Sequence, residues 1–96
     1  MWLILAAACA IPYEEGQAAV GEKNCALAEV CGTLAPLGGS YDECLSRSQG
    51  QAYDAANCPD YDAKAMRACL AAYDDAIEAE ACDADFVEVC RVCGSS

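Results

Sequence analysis

Residues 63–81 read AKAMRACLAAYDDAIEAEA. Met66, Cys69, Leu70, Tyr73 and Ile77 fall at i, i+3, i+4, i+7 and i+11, which is one stripe of an α-helix. The preceding NCPDYD interrupts the chain, and Asp62 or Asp60 is placed to cap the first turn. A cysteine stands inside the stripe. The segment is therefore an amphipathic helix that carries sulfur into its own interface, and it sets the expectation for the fold: helices cross-linked through their buried faces.

The rest of the chain follows the same pattern. Residues 17–31, QAAVGEKNCALAEVC, place Val20, Leu27 and Cys31 near one face with Leu34 beyond, and Gly32 suits the left-handed position after a last turn. TLAPLGG then reads as a loop, because Pro36 and the Gly38–Gly39 pair disfavour continuation. SYDE sets Ser40 at an N-cap with Glu43 three residues on, a capping box. Tyr41, Cys44, Leu45 and Ser48 share a face of the helix that follows, which ends at Gly50 or runs to about Asp54. A last short helix is expected after CDAD, capped by Asp83, with Phe86, Val89, Cys90 and Cys93 at i, i+3, i+4 and i+7. No stretch of useful length alternates polar and apolar residues. The expected fold is all-α, a small disulfide-rich bundle of about four short helices over residues 17–94.

Composition explains why sulfur is needed. Of 96 residues, 21 are Ala and 9 are Cys, and beyond Ala10 only 14 Val, Ile, Leu, Met or Phe side chains remain. Burial stabilises by roughly 25 cal/mol per Å² of apolar area, so alanine contributes little. Cys25, Cys31, Cys44, Cys58, Cys69, Cys82, Cys90 and Cys93 are spread over the whole body, the sign of a disulfide scaffold in an oxidising compartment. Short connections favour antiparallel neighbours, so the end of the first helix should meet the start of the second. That makes Cys31–Cys44 the one pairing expected, and the other six cysteines keep fifteen ways to pair.

The odd cysteine is Cys9, in the opening MWLILAAACA. Eight residues are too few to span a bilayer, which takes about 20. LAAAC resembles the lipobox of bacterial lipoproteins. That resemblance implies a signal peptide over residues 1–8, acylation of Cys9, and a tether from residues 9 to 16 punctuated by Pro12 and Gly16. The leader has no Lys or Arg, and Ala6 stands where Leu is commoner; a start upstream of Met1 would account for both. The small-x-small ACA alternatively offers cleavage after Ala10 and plain secretion. Either route leaves eight body cysteines.

The framework C-x5-C, x12, C, x13, C-P, x10, C-L, x12, C, x7, C-x2-C, with CALAEVC, SYDEC, NCP and ACL, resembles a group of small predicted lipoproteins of myxobacterial type. The resemblance covers Cys25 to Cys93. It implies export and a bridged helical domain in the cell envelope, and it brings no established activity.

Charge and missing residue types narrow the chemistry. The net charge is −11, with every acid beyond position 13, so phosphate backbones and anionic headgroups are repelled and a soluble, monomer-favouring surface is expected. With no His there is no common general base or partner for a nucleophilic Ser or Cys. Asp74 and Asp75 read as a solvated face. Asp83, Asp85 and Glu88 lack the twelve-residue loop and Gly turn of an EF-hand. Cys90 and Cys93 form a C-x-x-C that could serve thiol redox work or half a metal site, although no strand precedes it and no second close pair accompanies it. Among the tyrosines, Tyr41 and Tyr73 read as core, and Tyr53 and Tyr61 as an exposed patch beside the NCPD turn. No catalytic, cofactor or metal residue is assigned. Three functional classes follow: a non-enzymatic lipid-anchored structural or binding module with an unknown protein partner, a secreted effector or inhibitor, and an envelope metal or redox protein using Cys90 and Cys93.

Overall fold

A computed structural model describes residues 11–94. It is all-helical among those residues, with α1 Tyr13–Cys31, α2 Tyr41–Gln49 and α3 Ala63–Ala79, and 3-10 turns at Ala35–Leu37 and Ala55–Asn57. Three α-helices form among the described residues rather than four.

The helix α1 starts at Tyr13, directly after Pro12. The expected tether to residue 16 is therefore corrected, since residues 13–16 belong to the domain. Pro12 has φ near −65° and needs no N–H partner, so it starts a helix as readily as it breaks one. Glu14 and Glu15 then meet the positive end of the helix dipole. At the other end Gly32 takes φ 69°, and its N–H and that of Thr33 close the last carbonyls.

The Ser40 hydroxyl accepts from the Glu43 N–H at 3.1 Å and starts α2 as expected. Asp62, and not Asp60, caps α3: its Oδ1 accepts from the N–H groups of Lys64 at 2.9 Å and Ala65 at 3.1 Å. The α3 stripe faces inward, with Met66, Cys69 and Tyr73 buried and Leu70 and Ile77 packed against the core.

The central helix is α1, with α2 on one side and α3 on the other. Cys25 bonds Cys44 and Gly21 abuts Ser48, so α1 and α2 run antiparallel. Gly16 abuts Met66, Lys23 pairs with Asp74, and Cys31 bonds Cys82, so α1 and α3 run parallel. The expected Cys31–Cys44 bridge is corrected to Cys25–Cys44 and Cys31–Cys82. The α1–α2 connection spans residues 32–40 with a 3-10 turn of its own, which brings Cys44 level with Cys25 rather than with the helix end.

Two glycines make these contacts possible. A Cβ on Gly16 would lie 2.6 Å from Met66 Cε, and one on Gly21 would collide with the Ser48 hydroxyl. Glycine inside a helix costs roughly 0.5–1 kcal/mol relative to Ala. Here it lets α1 approach both neighbours closely.

The expected fourth helix is a non-helical strap. It leaves α3 at its end, is bridged at Cys82 to α1, at Cys90 to Cys69 and at Cys93 to Cys58, and so runs back along α3. From Cys82 to Cys90 it descends roughly 16 Å of α3, whereas eight helical residues cover only about 12 Å. The bridges therefore demand a more extended chain over part of this stretch, and the single turn that does form, closed by the Cys90 N–H on the Phe86 carbonyl at 2.9 Å, is not continued into a helix. Asp83 caps nothing; Asp85 Oδ1 instead accepts from the Val87 N–H at 2.9 Å in a local turn. Phe86 stacks on Tyr73 with ring centroids 3.9 Å apart, Val92 is buried, and the Val92 carbonyl accepts from the Asp62 N–H. Among the described residues four of the ten buried apolar side chains are cysteines, so sulfur fills the core as well as tying it.

Candidate functional site

The C-x-x-C does not close on itself. Cys90 bonds Cys69 and Cys93 bonds Cys58, so both take the structural bridges expected of the body cysteines, and neither is paired with the other as the redox or metal alternative requires. They fix the strap at two levels of the fold. Among the described residues no three acidic or cysteine side chains converge as a metal group, and Asp83, Asp85 and Glu88 are exposed and spread along the strap. Asp74 forms an ion pair with Lys23 at 2.6 Å across α1 and α3, and Asp75 is exposed. An exposed pair of this kind stabilises by about 0–1 kcal/mol.

A hollow of about 300 Å³ lies where α1, the Ala35–Leu37 turn and α2 meet. The Cys25–Cys44 bridge, Pro36 and Leu37 give it an apolar wall, and Asn24, Arg47, Gln51 and Tyr53 bring polar groups to it. Arg47, like Lys64 and Arg67, forms no ion pair among the described residues, whereas Lys23 and Arg91 do. The Ser48 hydroxyl also lines this groove, is buried, and has no hydrogen-bond partner among the described residues. A groove of this size lies at the lower bound for small-ligand sites. Chemically it suits a small group that sets apolar surface on Pro36 and Leu37 and a hydrogen-bonding or anionic end toward Arg47. Neither Arg47 nor Ser48 stands out in the sequence as a site residue. The available signal is Gly21, whose missing side chain lets α2 close on α1.

Because the buried Ser48 hydroxyl is unpaired, Ser48→Ala should stabilise the domain by about 1 kcal/mol, combining relief of an unmet hydrogen bond with better helix propensity. Urea unfolding of the oxidised protein would read this as a raised midpoint with unchanged slope.

A second constellation lies at the N-terminal end of α1 and α3. The Tyr13 ring meets Tyr61 edge-on at 5.6 Å and Tyr53 at 6.5 Å. The Tyr61 hydroxyl donates to the Ile11 carbonyl at 2.6 Å, and the Tyr53 hydroxyl donates to Gln51 Oε1 at 2.9 Å. Tyr53 and Tyr61 are thus half-buried partners of Tyr13 rather than a free patch, and Tyr41 is half-buried outside the core that Tyr73 joins. Burial, then the negative charges of Asp62 and Glu14, push the Tyr61 phenol above its ordinary range.

The folded state thus holds that proton more tightly than the unfolded chain. Its stabilising contribution is complete below the ordinary tyrosine value, near 10, and is lost as pH rises through the higher folded value. Circular dichroism across alkaline pH should show melting temperature falling in that window, and Tyr61→Phe should lessen the fall, the remainder belonging to Tyr73, whose phenol burial also raises.

No protein-family model, curated protein or solved structure matches this chain.

Proposed function

We propose that the chain is an exported, non-enzymatic binding module of the bacterial cell envelope, held to the membrane by an acyl group on Cys9. The supporting observation is the sulfur count. Eight cysteines are consumed in four bridges, and Cys9, which lies outside the described residues, is the one thiol left over for acylation. Multiple bridges are compatible with export, and no described helix is long and apolar enough to cross a membrane. The lipobox-like LAAAC supports the same reading. Recognition is assigned to the groove on the α2 side of α1, where Arg47 offers a cation with no ion-pair partner among the described residues.

Intact mass of protein from its native host tests the anchor. Four bridges remove eight hydrogens, two for each bridge. Acyl chains on Cys9 should add on the order of several hundred daltons and carry the protein into the membrane fraction, and Cys9→Ala should lose both effects. Recovery in culture fluid, cut after Ala10 and without added mass, would replace this reading with that of a secreted effector. For the groove, a pull-down with the oxidised domain and its Arg47→Glu variant is decisive; equal capture by both removes the groove from the proposal.

A further inference from the structure

We propose that the end of the domain bearing Tyr13, Tyr53 and Tyr61 sits in the headgroup layer of a zwitterionic bilayer, with the opposite, more acidic end held away from the membrane. This rests on the reading of Cys9 as the acylated residue. The parallel arrangement of α1 and α3 puts both of their N-terminal ends at the same pole of the molecule. Ile11 packs against the core there, and its carbonyl is held by the Tyr61 hydroxyl. Only two residue steps separate Cys9 from this fixed point, so at most about 7 Å of chain lies between anchor and folded domain. A domain held that closely has little freedom to turn over. Its tyrosine pole must meet the lipid surface.

The chemistry of that pole suits the interface. Tyrosine joins an apolar ring to a hydrogen-bonding tip, the combination enriched at the level of lipid headgroups. Three of the five basic residues, Lys64, Arg67 and Arg91, lie toward this pole, on the early turns of α3 and the end of the strap bridged to them. The opposite pole, marked by the Cys31–Cys82 bridge, carries Glu29, Glu78, Glu80 and Asp83. Glu14, Glu15, Asp60 and Asp62 still ring the tyrosines, which favours neutral over anionic headgroups.

The test uses the acylated chain, confirmed by intact mass, in phosphatidylcholine nanodiscs doped with nitroxide-headgroup lipid. Amide signals of residues 13–17, 53 and 61–64 should lose most of their intensity, whereas those of residues 29–33 and 78–84 should keep theirs. Replacing half of the lipid with phosphatidylglycerol should weaken the effect. Broadening that is uniform, or strongest at the acidic pole, in protein proven to be acylated overturns the orientation alone. Absence of acyl mass on Cys9 overturns the anchoring reading and this inference with it.

Discussion

Reducing the four bridges, without denaturant and at room temperature, removes most of the helical circular dichroism of the domain. The large apolar side chains in its buried core are few: Leu27, Met66, Tyr73 and Val92. Each stabilises by roughly 1.5–3 kcal/mol on burial. The bridges close sequence separations of 19, 51, 35 and 21 residues. Loop-closure entropy gives each about 3–4 kcal/mol, which is a large part of the 5–15 kcal/mol that holds a typical domain together. The strap is held by isolated turns and not by a continued helical ladder, so it and the α3 face beneath it should be lost first.

The ranking of single bridges is itself informative. Loop length separates the longest from the shortest by less than about 1 kcal/mol. Cavity formation separates them further, because Cys25 and Cys44 are 1% and 5% exposed whereas Cys82 is exposed. The Cys25→Ala/Cys44→Ala pair should therefore melt lower than Cys31→Ala/Cys82→Ala, although its loop is shorter. A reduced wild-type chain that stays helical and melts at the same temperature would show that sulfur is not what holds this fold.

What the sequence conveys follows from how local each signal is. The α3 stripe, the Ser40 cap, the Asp62 cap and the left-handed Gly32 each depend on a few neighbouring residues, and all are found. The errors lie where distant parts decide. Cys31 and Cys44 read as neighbours only when a short connection is equated with a tight hairpin; the register is set by packing of Gly21 on Ser48. Residues 82–93 have helical spacing, but bridges to Cys31, Cys69 and Cys58 stretch them past what a helix reaches. The groove is invisible in the sequence for the same reason, since Arg47, Asn24 and Leu37 meet only once α2 has docked. In α1 the face read from Val20, Leu27 and Cys31 covers only part of what is buried, since Gly16, Cys25 and Ala28 are buried as well and the helix packs on both sides.

The tightest of those contacts gives the second large effect. Met66 is fully buried and its Cγ, Sδ and Cε all lie within 2.8 Å of where a Cβ on Gly16 would stand. Met66→Ala should destabilise the domain by about 2–5 kcal/mol, through lost burial and the cavity left between α1 and α3. Gly16→Ala should cost about 1–2 kcal/mol, because overpacking a side chain with no free volume outweighs the gain of up to about 1 kcal/mol in helix propensity. In the double variant the methyl group added at position 16 enters the space that the Met66 side chain vacates. Its loss should fall short of the sum by about 1–2 kcal/mol, the coupling expected of residues in direct contact. Strict additivity in urea unfolding would mean that α1 and α3 do not approach one another at this pair. In that case the parallel arrangement, and with it the shared pole that carries the three tyrosines, would lose its closest contact.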